Sequence, residues 1–404
     1  MPGSLSKPLS FWVSAGVVAH TLWTSAAPAM VYPLYAQEWS LTPTVTTAIF
    51  AIYPIVVVAV LVLFGDVSDF IGRRTTMLLG LGSSIIGVFL FVIAPNVATL
   101  FVGRVFMGIG VGLSAGPSTA ALQEFAGAGG VTRASSTTII AQAVGFSCAL
   151  LVGGFLVEYA PLPSRLTFVL LLVLLVALFA VSWFLPENKR DPDRHWRPRV
   201  PGVQREIRIF FIASSIAVMT AYAHGVIITS LGAQIAKELV RSSNVFVNGS
   251  VLALFAISLG IAGMFANRLE GSKAVMWGSV ASIVGMFFLA AAVAQHSLLF
   301  FVPATAISGI GYALMVYGGL AIINPVTPEN VRGGVMSALY LLAYLFTGLL
   351  AIALGKMATV IDIATATLLG AGIMVALCVM VILLVVRMNR VQSTHTEAFT
   401  SQGA

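Results

Sequence analysis

The sequence predicts an all-α membrane protein of twelve transmembrane helices in two pseudo-symmetric six-helix bundles. Three observations predict it: extreme apolarity, twelve apolar runs of span length, and an echo between the two halves. The 404 residues are 59% hydrophobic and only 9% charged, with a mean hydropathy of +1.01. A soluble domain carries about 25% charged residues, so water is not the solvent of this chain. A bilayer core about 30 Å thick takes roughly 20 apolar residues per helix.

The first six runs cover residues 11–35, 44–64, 75–95, 98–122, 135–159 and 165–186, and the second six cover 207–232, 245–266, 274–294, 297–323, 334–357 and 366–387. The first run follows Lys7 and is too long for a signal-peptide core, so it reads as an uncleaved span. These runs divide the chain into an N-terminal bundle (1–186), a linker (187–206) rich in basic residues and proline, a C-terminal bundle (207–387) and a polar tail (388–404). The tail is expected to be unstructured.

A net charge of +7 could point to nucleic acid, but the basic residues sit in short loops between apolar runs. That placement orients helices in a bilayer and argues against a nucleic-acid partner. An interior N-terminus puts Lys7, Arg73, Arg74, Arg133, the linker cluster, Arg268, Lys273, Arg332, Arg387 and Arg390 in the cytoplasm. Arg165, Lys237, Arg241 and Lys356 stay outside, near Glu38, Glu158, Glu238 and Asp362. The positive-inside rule therefore predicts a multi-pass inner-membrane protein with both termini cytoplasmic. Cys148 and Cys378 fall inside apolar runs, which predicts no structural disulfide.

The halves echo each other in order. Ala19–His20 in span 1 matches Ala223–His224 in span 7, with Ser25 and Thr229 following. Gly108 and Gly110 in span 4 match Gly309 and Gly311 in span 10, and Gly154 in span 5 matches Gly355 in span 11. Small residues let helices approach closely in lipid, so Gly108, Gly112 and Gly116, together with Gly145, Gly153 and Gly154, are expected packing positions.

The loop after span 2 reads Gly65-Asp66-Val67-Ser68-Asp69-Phe70-Ile71-Gly72-Arg73-Arg74. It resembles the signature between helices 2 and 3 of the major facilitator superfamily, and with twelve spans and a central basic linker the resemblance covers about the whole chain. The resemblance implies a secondary active transporter working by alternating access, with Gly65, Asp69, Gly72, Arg73 and Arg74 forming a latch that joins the halves in one state. Phe70 stands where that family often has an Arg. The second-half counterpart, Asn267 to Lys273, is shorter and degenerate. Duplicated halves of this kind place a solute site at their interface near the bilayer midplane.

No Asp, Glu or Lys lies in the middle of a span; the embedded charge is Arg104, roughly 10 Å in from the nearer end of span 4 at 1.5 Å per residue. Burying it is costly unless it is paired or hydrated, and the alternative is that it snorkels to the outer interface. Gly103–Arg104 also resembles the family's helix-4 motif, whose Arg is associated with proton coupling or substrate charge. The other titratable candidates are His20 and His224. His20, Thr24 and Pro28 share a helical face, as do Tyr340 and Tyr344, while span 10 offers Tyr312 and Tyr317. Arg104, His20, Thr24, His224, Tyr312, Tyr340 and Tyr344 are thus the candidate cavity residues. An apolar, aromatic cavity suits an amphipathic solute.

Gly145, Gly153 and Gly154 fit the spacing of a helix-5 motif in the family's drug antiporters, although Ala149–Leu150 replaces its Gly-Pro. The expected function is efflux of a small organic solute, with uptake of a metabolite as the alternative and a sensor or membrane enzyme as the reading from another class. No metal site, no cofactor and no catalysis are expected, the five His residues being scattered. The expected partners are the solute and the bilayer, with coupling to protons possible and a monomer sufficient. Asp69→Asn should lower solute flux strongly in proteoliposomes while membrane insertion stays intact; full flux by inserted Asp69→Asn protein would remove Asp69 from the latch.

Overall fold

The computed structural model describes residues 5–65, 67–127, 130–187, 203–328 and 331–402, with residues 131 and 391–402 described by backbone alone. Asp66 and most of the expected linker lie outside the described residues. Among these residues there is no strand, and twelve helices run for 17 residues or more. They are α1 (Lys7–Ala26), α2 (Pro43–Phe64), α3 (Arg73–Ile93), α4 (Val97–Phe125), α5 (Gly130–Tyr159) and α6 (Leu166–Ser182). The second set is α7 (Arg208–Val226), α8 (Val245–Phe265), α9 (Gly271–Gln295), α10 (Leu298–Ile323), α11 (Arg332–Val360) and α12 (Ile363–Gln402). Ten helices are long and apolar enough to cross a membrane; α6 is apolar but shorter, and α1 is not among the ten.

Three boundaries differ from the sequence expectation. The first run does not stay helical to residue 35: α1 ends at Ala26, a turn follows, and a short helix resumes over Tyr32–Glu38. Pro28 has no N–H to donate to the helical ladder, and although Ala27 before it keeps helical φ and ψ of −50° and −38°, the regular helix ends at Ala26. Pro28 therefore leaves the helical face expected to join it to His20 and Thr24. The seventh run continues past residue 232 to Leu239 through two π-helical turns, Ile227–Leu231 and Ile235–Leu239. There the Thr229 hydroxyl donates to Gly225 O at 2.5 Å and the Ser230 hydroxyl to Val226 O at 2.6 Å. Back-bonding of this kind competes with the regular helical ladder. Finally, α12 stays helical through Gln402, because nothing after Arg387 up to that point is Pro or Gly. The expectation of an unstructured tail beginning there is corrected accordingly.

The helices alternate between a basic end, which holds the α2–α3 and α8–α9 loops, and an opposite end. Trp12, Trp183 and Trp277 stand exposed near the basic end, where amphipathic rings favour a membrane–water interface. At the opposite end, side chains satisfy the orphan N–H groups of helix starts. The Asn96 side chain accepts Thr99 N–H at 3.1 Å, and the Asn244 side chain accepts Val247 N–H at 2.8 Å. Asp362 accepts the Thr365 N–H and hydroxyl, each at 2.7 Å, and these bonds hold its carboxylate below the usual pKa range.

The core is built on close backbone approach. In α3–α4, Gly80 faces Ser114 and Gly110 O, and Gly87 faces Gly103 O and Met107; in α9–α10, Gly278 faces Gly311 O and Met315, and Gly285 faces Ser308. Gly108 and Gly112 lie against Val56 and Val60 of α2, Gly145 against Ala19 O of α1, and Gly153 at ordinary contact with Met30. Gly116 has nothing within 4 Å of where a Cβ would stand, so it is not a packing glycine. α1 and α3 to α6 pack among themselves, as do α7, α9, α10 and α12, while α2 meets both α4 and α11, and α8 meets both α5 and α10.

Gly110→Val would drive a Cβ onto Ser84 Oγ and to 2.6 Å from Gly80 O. Overpacking of this kind costs about 1–3 kcal/mol, so the thermal midpoint of the purified protein should fall by several degrees, whereas Gly116→Ala should leave it unchanged.

Candidate functional site

The centre of the first helix set is organised by Arg104, which is 0% exposed. Its Nε donates to Ile49 O of α2 at 3.4 Å, and its Nη1 donates to Ser25 O of α1 at 3.1 Å. The break in α1 explains the second bond. Pro28 has no N–H and the Ala29 N–H turns to Ala26 O, leaving the Ser25 carbonyl among the orphan acceptors of a helix end. The guanidinium lies 4.7 Å from the Tyr53 ring centroid and 5.8 Å from that of Phe50, within reach of cation–π attraction. Arg104 Nη2 has no hydrogen-bond partner, and among the described residues no carboxylate pairs with this charge. Full burial excludes the snorkelling alternative.

The two histidines do not share a cavity. His20 binds Val17 O through Nδ1 at 2.5 Å and reaches Ser84 Oγ of α3 through Nε2 at 3.4 Å. His224 binds Thr220 O through Nδ1 at 3.1 Å, while its Nε2 is unpartnered and faces a void of about 10 Å³ lined also by Thr305, Ser308 and Phe301. That is room for one water. Thr24 is buried with its hydroxyl unpartnered.

The tyrosines do converge. Tyr222 of α7 stacks on Tyr312 of α10 at 5.8 Å and meets Tyr344 of α11 edge-on at 5.0 Å, and Phe255 of α8 meets Tyr312 at 5.7 Å. Tyr340 stands one turn before Tyr344 on α11. Sequence reading missed Tyr222, Tyr53 and Phe50. Tyr222 lies two residues before His224 and Tyr53 directly before Pro54, signals that periodicity alone does not rank. A separate chamber of about 330 Å³ opens at the opposite end between the extensions of α1 and α7, lined by Tyr32, Gln37, Thr46, Gln234, Lys237 and Glu238.

At the basic end, Gly72 starts α3 with φ +92°, a conformation that favours glycine. Arg73 pairs with Glu124 of α4 at 2.6 Å, and Arg74 with Glu187 at 3.6 Å and with Leu185 O at 3.3 Å. These arginine partners belong to the first helix set and to the chain just after α6. Gly65 caps α2, and Asp69 stands exposed in the short helix Val67–Ile71. Both cysteines are free.

The sequence pattern of the Major Facilitator Superfamily matches residues 12–258. The chain belongs to this superfamily. The multidrug efflux pump LfrA of Mycolicibacterium smegmatis (strain ATCC 700084 / mc(2)155) is 27% identical over 198 residues, which is 48% of this chain and 39% of the pump. The match thus spans well under half of that relative's length. Among solved structures, the nucleoside transporter NupG superposes with a TM-score of 0.72 at 16% identity, over 94% of this chain and 99% of NupG. The POT family transporter PepTSo superposes with a TM-score of 0.77 at 13% identity, over 96% and 98%. At such identities these likenesses carry the fold and nothing finer. The chain is a multi-pass membrane protein of a transporter superfamily.

Arg104→Lys keeps the charge but loses the planar fork that serves two carbonyls and an aromatic face. Solute flux should fall about tenfold or more, the equivalent of ~1.4 kcal/mol, and Arg104→Ala should abolish it with the protein still folded by thermal melting. Full flux by Arg104→Lys at equal expression would return Arg104 to a packing role.

Proposed function

We propose that this member of the Major Facilitator Superfamily moves a small, organic, amphipathic solute across the inner membrane by alternating access, in the direction of efflux. In this reading all twelve helices span the bilayer as two six-helix bundles, 1–186 and 207–387, with both termini cytoplasmic and a monomer sufficient. The observation that carries it is the pairing of a fully buried Arg104 with aromatic rings on both sides of the α2–α11 contact. Tyr53 sits under the guanidinium, and Tyr222, Tyr312 and Tyr344 cluster on the second set. Rings with polar tips and a single cation suit an amphipathic guest. Arg104, His20, Thr24, His224, Tyr312, Tyr340 and Tyr344 are the proposed cavity residues, and Gly65, Asp69, Gly72, Arg73 and Arg74 the proposed gating elements.

Efflux rests on the likeness to the mycobacterial multidrug pump. Among the described residues every Asp and Glu lies in a loop or toward a helix end, so this reading routes coupling through no carboxylate at mid-membrane. Proteoliposomes loaded with dyes, antibiotics or organic acids, with and without a pH gradient, test the reading. Outward movement of an amphipathic solute is expected, lost in Arg104→Ala; accumulation in the opposite direction would establish uptake instead.

A further inference from the structure

At the end opposite the basic loops, the two helix sets meet through two clasps built on one plan. In the first, α11 sets Gly355 against the start of α2, with Thr47 and Pro43 O as its nearest neighbours. Four residues on, Thr359 Oγ1 accepts the Thr44 N–H at 2.9 Å and shares a 2.8 Å hydrogen bond with the Thr44 hydroxyl. In the second, α5 sets Gly154 against the start of α8, facing Val245 O and Gly249. Four residues on, Glu158 Oε2 accepts the Val245 N–H at 2.7 Å, and beside it the Tyr159 hydroxyl accepts from Asn244 Nδ2 at 3.2 Å.

Thr359 and Glu158 therefore hold equivalent posts. Each supplies an acceptor to a first-turn N–H that has no partner in its own helix, and each reaches across from the other set. They differ in chemistry. The hydroxyl accepts at any pH. The carboxylate accepts best when ionised, because the bond is then charge-assisted and the positive helix end attracts it.

We propose that Glu158 is a proton-binding residue that couples the pH at this end of the protein to the opening of that end. Ionised, it holds α5 against α8; protonated, it lets them part. The proposal rests on the alternating-access reading above. Its sign follows from the contact: the bond to the Val245 N–H is made in the closed state and absent in the open one, and protonation removes its charge assistance, so acid favours opening. One site changes the open-to-closed ratio by at most about tenfold per pH unit. The other charged or titratable groups at this end, on α5 to α8 and on the segments packed against them, are Tyr32, Tyr35 and Glu38 after α1, then Tyr159, Arg165, Lys237, Glu238, Arg241 and His296. None of these forms an ion pair with Glu158 among the described residues, and Gln234 Nε2 donates to Glu238 at 2.9 Å.

The test is a distance measured by pulsed electron spin resonance on the full chain in lipid nanodiscs. Nitroxides are placed through Leu162→Cys and Val360→Cys, after Cys148→Ser and Cys378→Ser. Both label sites are exposed at this end, 64% and 72%, one on each helix set. Between pH 7.5 and about pH 4, the range that brackets ordinary carboxylates, the long-distance population of the wild type should grow threefold or more. Glu158→Gln keeps an oxygen for the Val245 N–H, so it should stay closed with no pH response. Glu158→Ala should be shifted open at every pH, and Thr359→Ala should open somewhat while keeping the pH response. A wild-type pH response in Glu158→Gln overturns the proposal, as does a flat wild type in a protein that Glu158→Ala still opens. One fixed distance in every variant at every pH would overturn the alternating-access reading along with it.

Discussion

In a bilayer every backbone polar group must find its partner inside the protein, and this constraint shapes everything else in the molecule. It forces the described chain into helices. Once the helices form, lipid offers no hydrophobic drive to bring them together, so association rests on dispersion, on close contact and on the polar bonds left over. The glycines that face neighbouring backbone are the direct result. Gly80, Gly87 and Gly110 seat α3 on α4, Gly278, Gly285 and Gly311 seat α9 on α10, and Gly154 and Gly355 seat one set of helices on the other. A methyl group at most of these positions would separate two helices that have little else to hold them.

The same constraint explains Arg104, the one permanently charged side chain that is buried among the described residues. A buried guanidinium needs acceptors, and α4 finds them where the regular ladder is interrupted. The proline break after α1 frees the Ser25 carbonyl, and Arg104 takes it. Proline and arginine thus answer each other: the break would leave an orphan acceptor without the cation, and the cation would lack one of its two carbonyl acceptors without the break. The aromatic faces of Tyr53 and Phe50 supply the remaining attraction without adding a compensating negative charge. The region therefore keeps a net positive charge beside polar-tipped rings, which is the chemical basis for reading the solute as amphipathic.

The two ends of the molecule hold together by different means. At the basic end, Arg73 and Arg74 pair with carboxylates that are partly exposed, where water screens the attraction and each pair contributes at most about 1 kcal/mol. At the opposite end, the contacts between sets use glycine approach, hydroxyls and one carboxylate on helix N-termini. Their strength comes from alignment with otherwise unpaired N–H groups. The difference matters because the second kind of contact is short-ranged and either made or broken, which is what a bistable interface requires.

The sequence by itself determined the solvent of the chain, the helical class and the approximate place of each long helix, because apolar run length and loop charge are local properties. It also marked Arg104 and the paired glycines, since a charge in an apolar run and a recurring small residue are visible without a fold. Only the tertiary structure decided what those residues touch. That Arg104 is buried instead of snorkelling depends on a carbonyl freed 79 positions earlier in the chain. That Tyr312 and Tyr344 meet through Tyr222 depends on three helices converging. That Gly116 packs against nothing, while Gly108 meets Val56 and Gly112 meets Val60, depends on which residues of α2 stand beside each turn of α4. Periodicity fixes which face a residue shares. Which neighbour occupies that face is set by packing between segments far apart in sequence, and no local pattern encodes it.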